Sequence, residues 1–179
     1  MPVIEPVKLD AANEEQKKVL EGIQAKMGKI PNIYATMAHS PSTLHALLAY
    51  NFGLKKGVLT PKEIEAIALA VGQNNTCDYC VAAHTVIGKM SGLTDEETLE
   101  ARQGISQDPK MDALLELVVE ISEKKGRPLG KVVDAFKAAG YSDAALIEVI
   151  AWVTFNLFTN YFNHIAETEV DFPEPPKIA

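Results

Sequence analysis

Ile64-Glu65-Ala66-Ile67-Ala68-Leu69-Ala70-Val71 constrains this chain more than any other stretch. Just ahead of it, Thr60-Pro61-Lys62-Glu63 supplies an N-cap, a proline at the first helical position and the glutamate of a capping box. A helix is therefore predicted from Pro61 to about Gln73. It is apolar around nearly its whole circumference, the pattern of a helix enclosed by protein. Glu65 interrupts that surface. A buried carboxylate must find a partner or carry a raised pKa; the alternative is an acidic residue near a helix start that points outward, a role Glu63 fits better.

Helix signals punctuate the rest of the chain, and no window alternates with strand period. Asn13–Met27 reads as an amphipathic helix stopped by Gly28. Pro31 and Pro41 open segments over Asn32–Ala38 and Ser42–Lys56, and Gly57 closes the second. Thr94-Asp95-Glu96-Glu97 repeats the capping logic for a helix to about Gly104. Asp108-Pro109 starts another to about Lys125. After the breakers Gly126, Pro128 and Gly130 a helix runs to Ala139, and Ser142 begins the last and longest. Beyond Asp171, Phe172-Pro173-Glu174-Pro175-Pro176 is expected to be extended and poorly ordered.

The fold class is all-α, in one domain across all 179 residues. N-terminal helices occupy 1–58, a redox core 59–105, a C-terminal helical half 106–170 and an extended tail 171–179. A shift of 83 residues lays Ile64, Glu65, Ile67, Ala68 and Thr76 over Ile147, Glu148, Ile150, Ala151 and Thr159. Cys77 and Cys80 then fall on Asn160 and Asn163. Either two apolar helices coincide or two degenerate helical repeats are present, the second without thiols.

A net charge of -7, with no basic cluster longer than Lys55-Lys56, argues against a nucleic-acid surface. The start, Met1-Pro2-Val3-Ile4-Glu5-Pro6, lacks the basic and apolar regions of a secretory signal, so a reducing cytoplasm is the expected setting. Ala144–Phe162 approaches membrane-span length but contains Glu148, Thr154, Asn156, Thr159 and Asn160. It is read as a buried helix, packed in a subunit interface, with no membrane partner.

In a reducing compartment, cysteines spaced as Cys77-Asp78-Tyr79-Cys80 are more often redox-active or metal-binding than structural. Asn74, Asn75 and Thr76 cap better than they continue a helix, so Cys77 falls at or just before a new first turn. The partial positive charge of that helix start favours a thiolate. Cβ atoms three residues apart on a helix lie about 5–6 Å apart, whereas a disulfide needs about 3.8 Å. Closure requires give, and a helix start provides it. His84 shares a helical face with Cys80, within the reach a base needs. His39, His45 and His164 show no spacing to the pair. Trp152, Phe155, Phe158, Tyr161 and Phe162 read as core or interface, and Tyr50 and Phe52 as residues that could line a substrate path.

Glu65, eleven intervening residues, and Cys77-x-x-Cys80-x-x-x-His84 together resemble the alkylhydroperoxidase D (AhpD) branch of the carboxymuconolactone decarboxylase-like superfamily. The similarity extends to Pro31-Asn32 upstream and to Asn163 and Asp171-Phe172-Pro173 downstream, and is greatest to peroxidase-related members. The resemblance implies an all-helical fold, trimers or hexamers, and no metal or organic cofactor. It also implies hydroperoxide reduction, with electrons returned by a dithiol such as a lipoyl group or a thioredoxin-like protein. On this view Glu65 and His84 relay protons and Cys77 and Cys80 form the redox pair. Tyr79 departs from the histidine that some members carry between the cysteines.

The mechanism expected from these residues has Cys80 as the attacking thiolate and Cys77, nearer the exposed helix start, as the resolving thiol and the sulfur an incoming dithiol attacks. Glu65 orients His84. Three rivals use the same residues: a disulfide oxidoreductase or redox-regulated protein without peroxide turnover; a zinc site built from Cys77, Cys80, His84 and Glu65; and a cofactor-free decarboxylase or lactone enzyme, which has no evident use for a dithiol.

Overall fold

A computed structural model describes residues 2–178. The described residues form nine helices and no strand: α1 Glu14–Met27, α2 Asn32–Met37, α3 Pro41–Leu54, α4 Pro61–Asn74, α5 Asp78–Met90, α6 Asp95–Gln103, α7 Pro109–Glu123, α8 Gly130–Ala138 and α9 Asp143–Ala166. Capping chemistry sets most of these starts. Asn13 with Gln16, Thr60 with Glu63, and Thr94 with Glu97 each close a reciprocal capping box.

Every residue of α4 from Glu63 to Gly72 is buried. The helix is enclosed by α5, α6, α7 and α9, the surroundings its all-round apolar surface requires. Leu114, Leu115, Leu117 and Val118 of α7 and Val149, Trp152 and Val153 of α9 are buried in the same core. The start of α4 is tied to α9 by Glu148, whose carboxylate accepts from the backbone N–H groups of Val58 and Leu59 at 2.8 and 3.1 Å. Gly57 makes room for it, since a Cβ there would overlap that carboxylate.

Glu63 does not point outward. It is buried, caps its own helix through Thr60, and accepts 2.7 Å from the Tyr141 hydroxyl. Burial raises its pKa, but hydrogen bonds from Thr60 and Tyr141 and the nearby Lys110 charge outweigh that and hold it below the usual value. One carboxylate thus joins the α4 start to the loop before α9.

The tail beyond Asp171 is held rather than loose; Ala179 lies outside the described residues. Asp171 accepts 2.7 Å from the Tyr79 hydroxyl and 3.3 Å from Lys29. Phe172 packs edge-on against Tyr79, with the Lys29 ammonium 3.8 Å over its ring. Arg102 donates to the Pro176 carbonyl. Proline-rich composition made the segment extended; contacts distant in sequence order it.

Across the 83-residue shift α9 runs unbroken where α4 ends and α5 begins. It is long and apolar enough to cross a membrane by length and composition, and 44% of its most apolar window is buried in the protein. Trp152 and Phe155 face the core, whereas Ile147, Phe158, Tyr161 and Ile165 are exposed.

Tyr141→Phe removes a donor from an ionised buried carboxylate and is expected to cost about 1.5–3 kcal/mol at neutral pH. Because the folded pKa of Glu63 lies below its unfolded value, its contribution is present above about pH 4.3 and fades as pH falls through the folded value. Urea unfolding of both proteins at neutral and acidic pH should show the difference shrinking in acid. An equal difference at both pH values contradicts the assignment.

Candidate active site

The site is built on the break between α4 and α5. Thr76 adopts a left-handed backbone (φ 53°), and the Cys77 N–H reaches back 2.9 Å to the Gly72 carbonyl. A helix-ending turn of this kind satisfies the last carbonyls of α4. It also leaves Cys77 as the N-cap of α5, its sulfur accepting from the Cys80 N–H at 3.4 Å. The helices meet closely at Gly72, where a Cβ would lie in van der Waals contact with the Cys80 Cβ at 3.4 Å.

Both cysteines are free, and their sulfurs lie 2.7 Å apart. A disulfide needs about 2.05 Å, so closure asks for a small movement at a helix end. Four residues on, the ring of His84 meets Glu65: Nδ1 and Oε2 are 2.6 Å apart. Glu65 is 5% exposed, and the histidine retains more contact with solvent. Of the four residues singled out by sequence, the structure thus brings Glu65 to His84 and Cys77 to Cys80. They form two pairs rather than one tetrahedral cluster. No group of three or more His, Cys, Asp or Glu side chains among the described residues is placed to hold an ion.

One expectation about the thiols changes. Cys77 is not the accessible sulfur: it is 1% exposed and Cys80 3%. Its side chain turns back over its own helix start, where α9 covers it. The features that favour charge also gather on Cys77 rather than Cys80. Its contact with the Cys80 thiol comes first, and the backbone N–H of Cys80, the Asn163 amide and the His84 charge add to the effect; together they outweigh burial and lower its pKa. Cys80 is pushed up, first because it keeps the proton shared with Cys77 and then by burial. In the dithiol, these contacts favour the anion on Cys77.

Sequence reasoning did not select the two asparagines of α9 as site residues. Asn163 Nδ2 lies 3.3 Å from Cys80 Sγ and 3.9 Å from Cys77 Sγ. Asn160 is fully buried and takes a 3.0 Å hydrogen bond on Oδ1 from Asn75 Nδ2. Their signal was present as buried-type amides in the most apolar helix, at the positions the 83-residue shift laid over the cysteines. Tyr79 was noted only as a departure. It braces the site, donating to Asp171 and accepting 3.2 Å from the Ile33 N–H. Burial, followed by its bond to Asp171 and that residue's charge, drives its pKa upward despite the Ile33 contact. Tyr34 of α2 is likewise raised by burial and then by the Glu65 charge. His39, His45 and His164 are exposed and stand apart from the site; the His39 ring bonds the Glu5 carbonyl at 2.9 Å.

Fold and site together define an all-helical protein organised round a buried dithiol with an adjoining histidine–carboxylate pair. Residues 41–118, which carry all four side chains, match the carboxymuconolactone decarboxylase family. The AhpD core of an uncharacterized peroxidase-related protein from Ralstonia eutropha JMP134 superposes with a TM-score of 0.85 at 22% identity, over 95% of this chain and 92% of that one. A peroxidase-related protein from Silicibacter sp. TM1040 gives 0.81 at 18% identity, over 99% and 97%. The debrominase Bmp8, in complex with 2,3,4-tribromopyrrole, gives 0.78 at 20% identity, over 94% and 91%. No curated protein matches the chain by sequence. Residues 41–118 thus match the carboxymuconolactone decarboxylase family, and they sit within an AhpD-like fold.

Proposed function

We propose that this protein is a thiol-dependent peroxidase that reduces hydroperoxides through a reversible Cys77–Cys80 disulfide. The observation that carries the reading is the pair of sulfurs 2.7 Å apart at a helix start, with the His84–Glu65 pair one turn further on. A peroxidase needs a stabilised thiolate, a second thiol within bonding reach and a proton source for the leaving alkoxide.

The steps run from Cys77, not from Cys80 as the sequence alone suggested. The Cys77 thiolate attacks the terminal oxygen of the hydroperoxide. The O–O bond breaks, Cys77 becomes a sulfenic acid, and the alkoxide takes a proton from the His84 imidazolium. Neutral His84 then accepts the Cys80 proton, and the Cys80 thiolate attacks the Cys77 sulfur. The S–S bond forms as the S–O bond breaks, and the departing hydroxide takes that proton and leaves as water. An external dithiol, a lipoyl group or a thioredoxin-like protein, reduces the disulfide by exchange. Glu65 orients the ring and balances its charge. In this reading the reaction needs no metal or organic cofactor and takes place in the cytoplasm.

Turnover of alkyl and hydrogen peroxides is to be measured with lipoamide and with thioredoxin as donors. Cys77→Ser and Cys80→Ser are each expected to abolish it, and His84→Ala to lower kcat/KM by about 10²–10⁴-fold. A dimedone-trapped sulfenate should form in Cys80→Ser and not in Cys77→Ser; the opposite result returns the attack to Cys80. Fast disulfide exchange with negligible peroxide consumption by the native protein favours a general disulfide oxidoreductase. Consumption of a brominated pyrrole in its place, the chemistry named for Bmp8, favours a dehalogenase.

The same reading includes a homo-oligomer, a trimer or hexamer, formed through α9. Ile147, Ile150, Thr154, Phe158, Tyr161 and Ile165 lie at three- and four-residue spacings along one exposed, uncharged face. A second copy of this chain is the partner that buries it. Sedimentation equilibrium should return a multiple of the 19.5 kDa chain mass, and Phe158→Glu should lower it. A native protein that sediments as a monomer at micromolar concentration contradicts this.

A further inference from the structure

We propose that Asn160 and Asn163 are catalytic amides that hold the second thiolate of the cycle, the one Cys80 forms in order to close the disulfide. This role rests on the dithiol reading above and adds to it the groups that make the resolving step possible.

The need follows from the geometry of the first step. While Cys77 is a thiolate, Cys80, its sulfur 2.7 Å away, keeps its proton. Once Cys77 is oxidised, its sulfur no longer carries the charge that held the Cys80 proton, and Cys80 must ionise where it is 3% exposed. It lies within the first turn of α5, and its own N–H is already directed at Cys77. Buried charge without donors is prohibitive. The donors have to come from another element, and α9 provides them.

Asn163 Nδ2 already lies 3.3 Å from Cys80 Sγ. Asn160 is set differently. Its Oδ1 is clamped by Asn75 Nδ2 at 3.0 Å, and Asn75 is itself anchored 2.9 Å from the Val71 carbonyl at the end of α4. That clamp fixes which way the Asn160 amide faces. Its Nδ2 is buried with no hydrogen-bond partner among the described residues, as is Asn163 Oδ1. An N–H left unmatched in a residue of zero exposure is costly and needs a reason. The Asn160 amide also acts on Cys80, favouring its anion. A neutral thiol is a weak acceptor and a thiolate a strong one. Asn160 Nδ2 is therefore a donor whose partner exists only after Cys80 has lost its proton.

The test isolates the second thiolate. In Cys77→Ser, Cys80 is the sole thiol, and its ionisation can be followed by thiolate ultraviolet absorbance across pH. Adding Asn163→Leu or Asn160→Leu should each leave about tenfold less thiolate at a given pH, an upward shift of about one unit. Asn75→Ala, which releases the clamp from outside, should shift it in the same direction by less and serves if the leucine variants fail to fold. An unmoved midpoint in any folded variant that lacks one of the two amides overturns the proposal, since a merely structural role alters the melting temperature alone. These readings use no peroxide. A shift in the ionisation of Cys80 without turnover by the native protein retains the amides' role and removes the peroxidase reading; turnover without any such shift does the reverse.

Discussion

The hydrogen bond from the Cys77 N–H to the Gly72 carbonyl governs the arrangement of everything near the site. It ends one helix and begins the next within three residues, by way of a left-handed Thr76. Had α4 continued, a cysteine at position 77 would have lain in a helix interior, where thiols three residues apart stand too far apart to bond without strain. The break turns the first sulfur over the start of α5 and brings it to the second. The burial of α4 on all sides makes that geometry rigid, because each surrounding helix holds one side of the axis from which the break departs.

Rigidity here carries an electrostatic cost. Two thiols, a carboxylate and part of an imidazole are withdrawn from water. The protein meets this with short, directed contacts: Glu65 against His84, the Cys80 thiol against Cys77, and α9 amides against both sulfurs. Each gains strength from the low local dielectric that makes an unpaired group expensive. Tyr79, Asp171, Lys29 and Phe172 extend the same logic outward, fixing the tail beside the helix that bears the thiols.

Much of this was legible in the residues because it was local. Thr60, Glu63, Thr94, Glu97, Asp108 and Ser142 write their helix starts within four positions of themselves, and each start lies where those rules put it. The position of Cys77 as an N-cap followed from the poor helix formers before it. What escaped was non-local. Nothing near Glu63 in sequence announces Tyr141, seventy-eight residues away. The proline-rich tail gave no sign of its anchors at Lys29, Tyr79 and Arg102. The burial of Cys77 depends on a helix that begins at Asp143, so its exposure was misjudged from the first turn alone. Asn160 and Asn163 were visible as anomalies in an apolar helix, but their meaning required knowing which helix faces them.

On the proposed function, a hydroperoxide oxidises this dithiol to an internal disulfide. One equivalent of hydroperoxide added to the fully reduced protein, followed by acid quench and intact mass analysis with peptide mapping, tests it in a single turnover. One alcohol per chain, loss of both free thiols, and a Cys77–Cys80 linked peptide lighter by one pair of hydrogens are expected. Peroxide left unconsumed with both thiols intact, or consumed with oxygen retained on a sulfur and no link between the two, would contradict it.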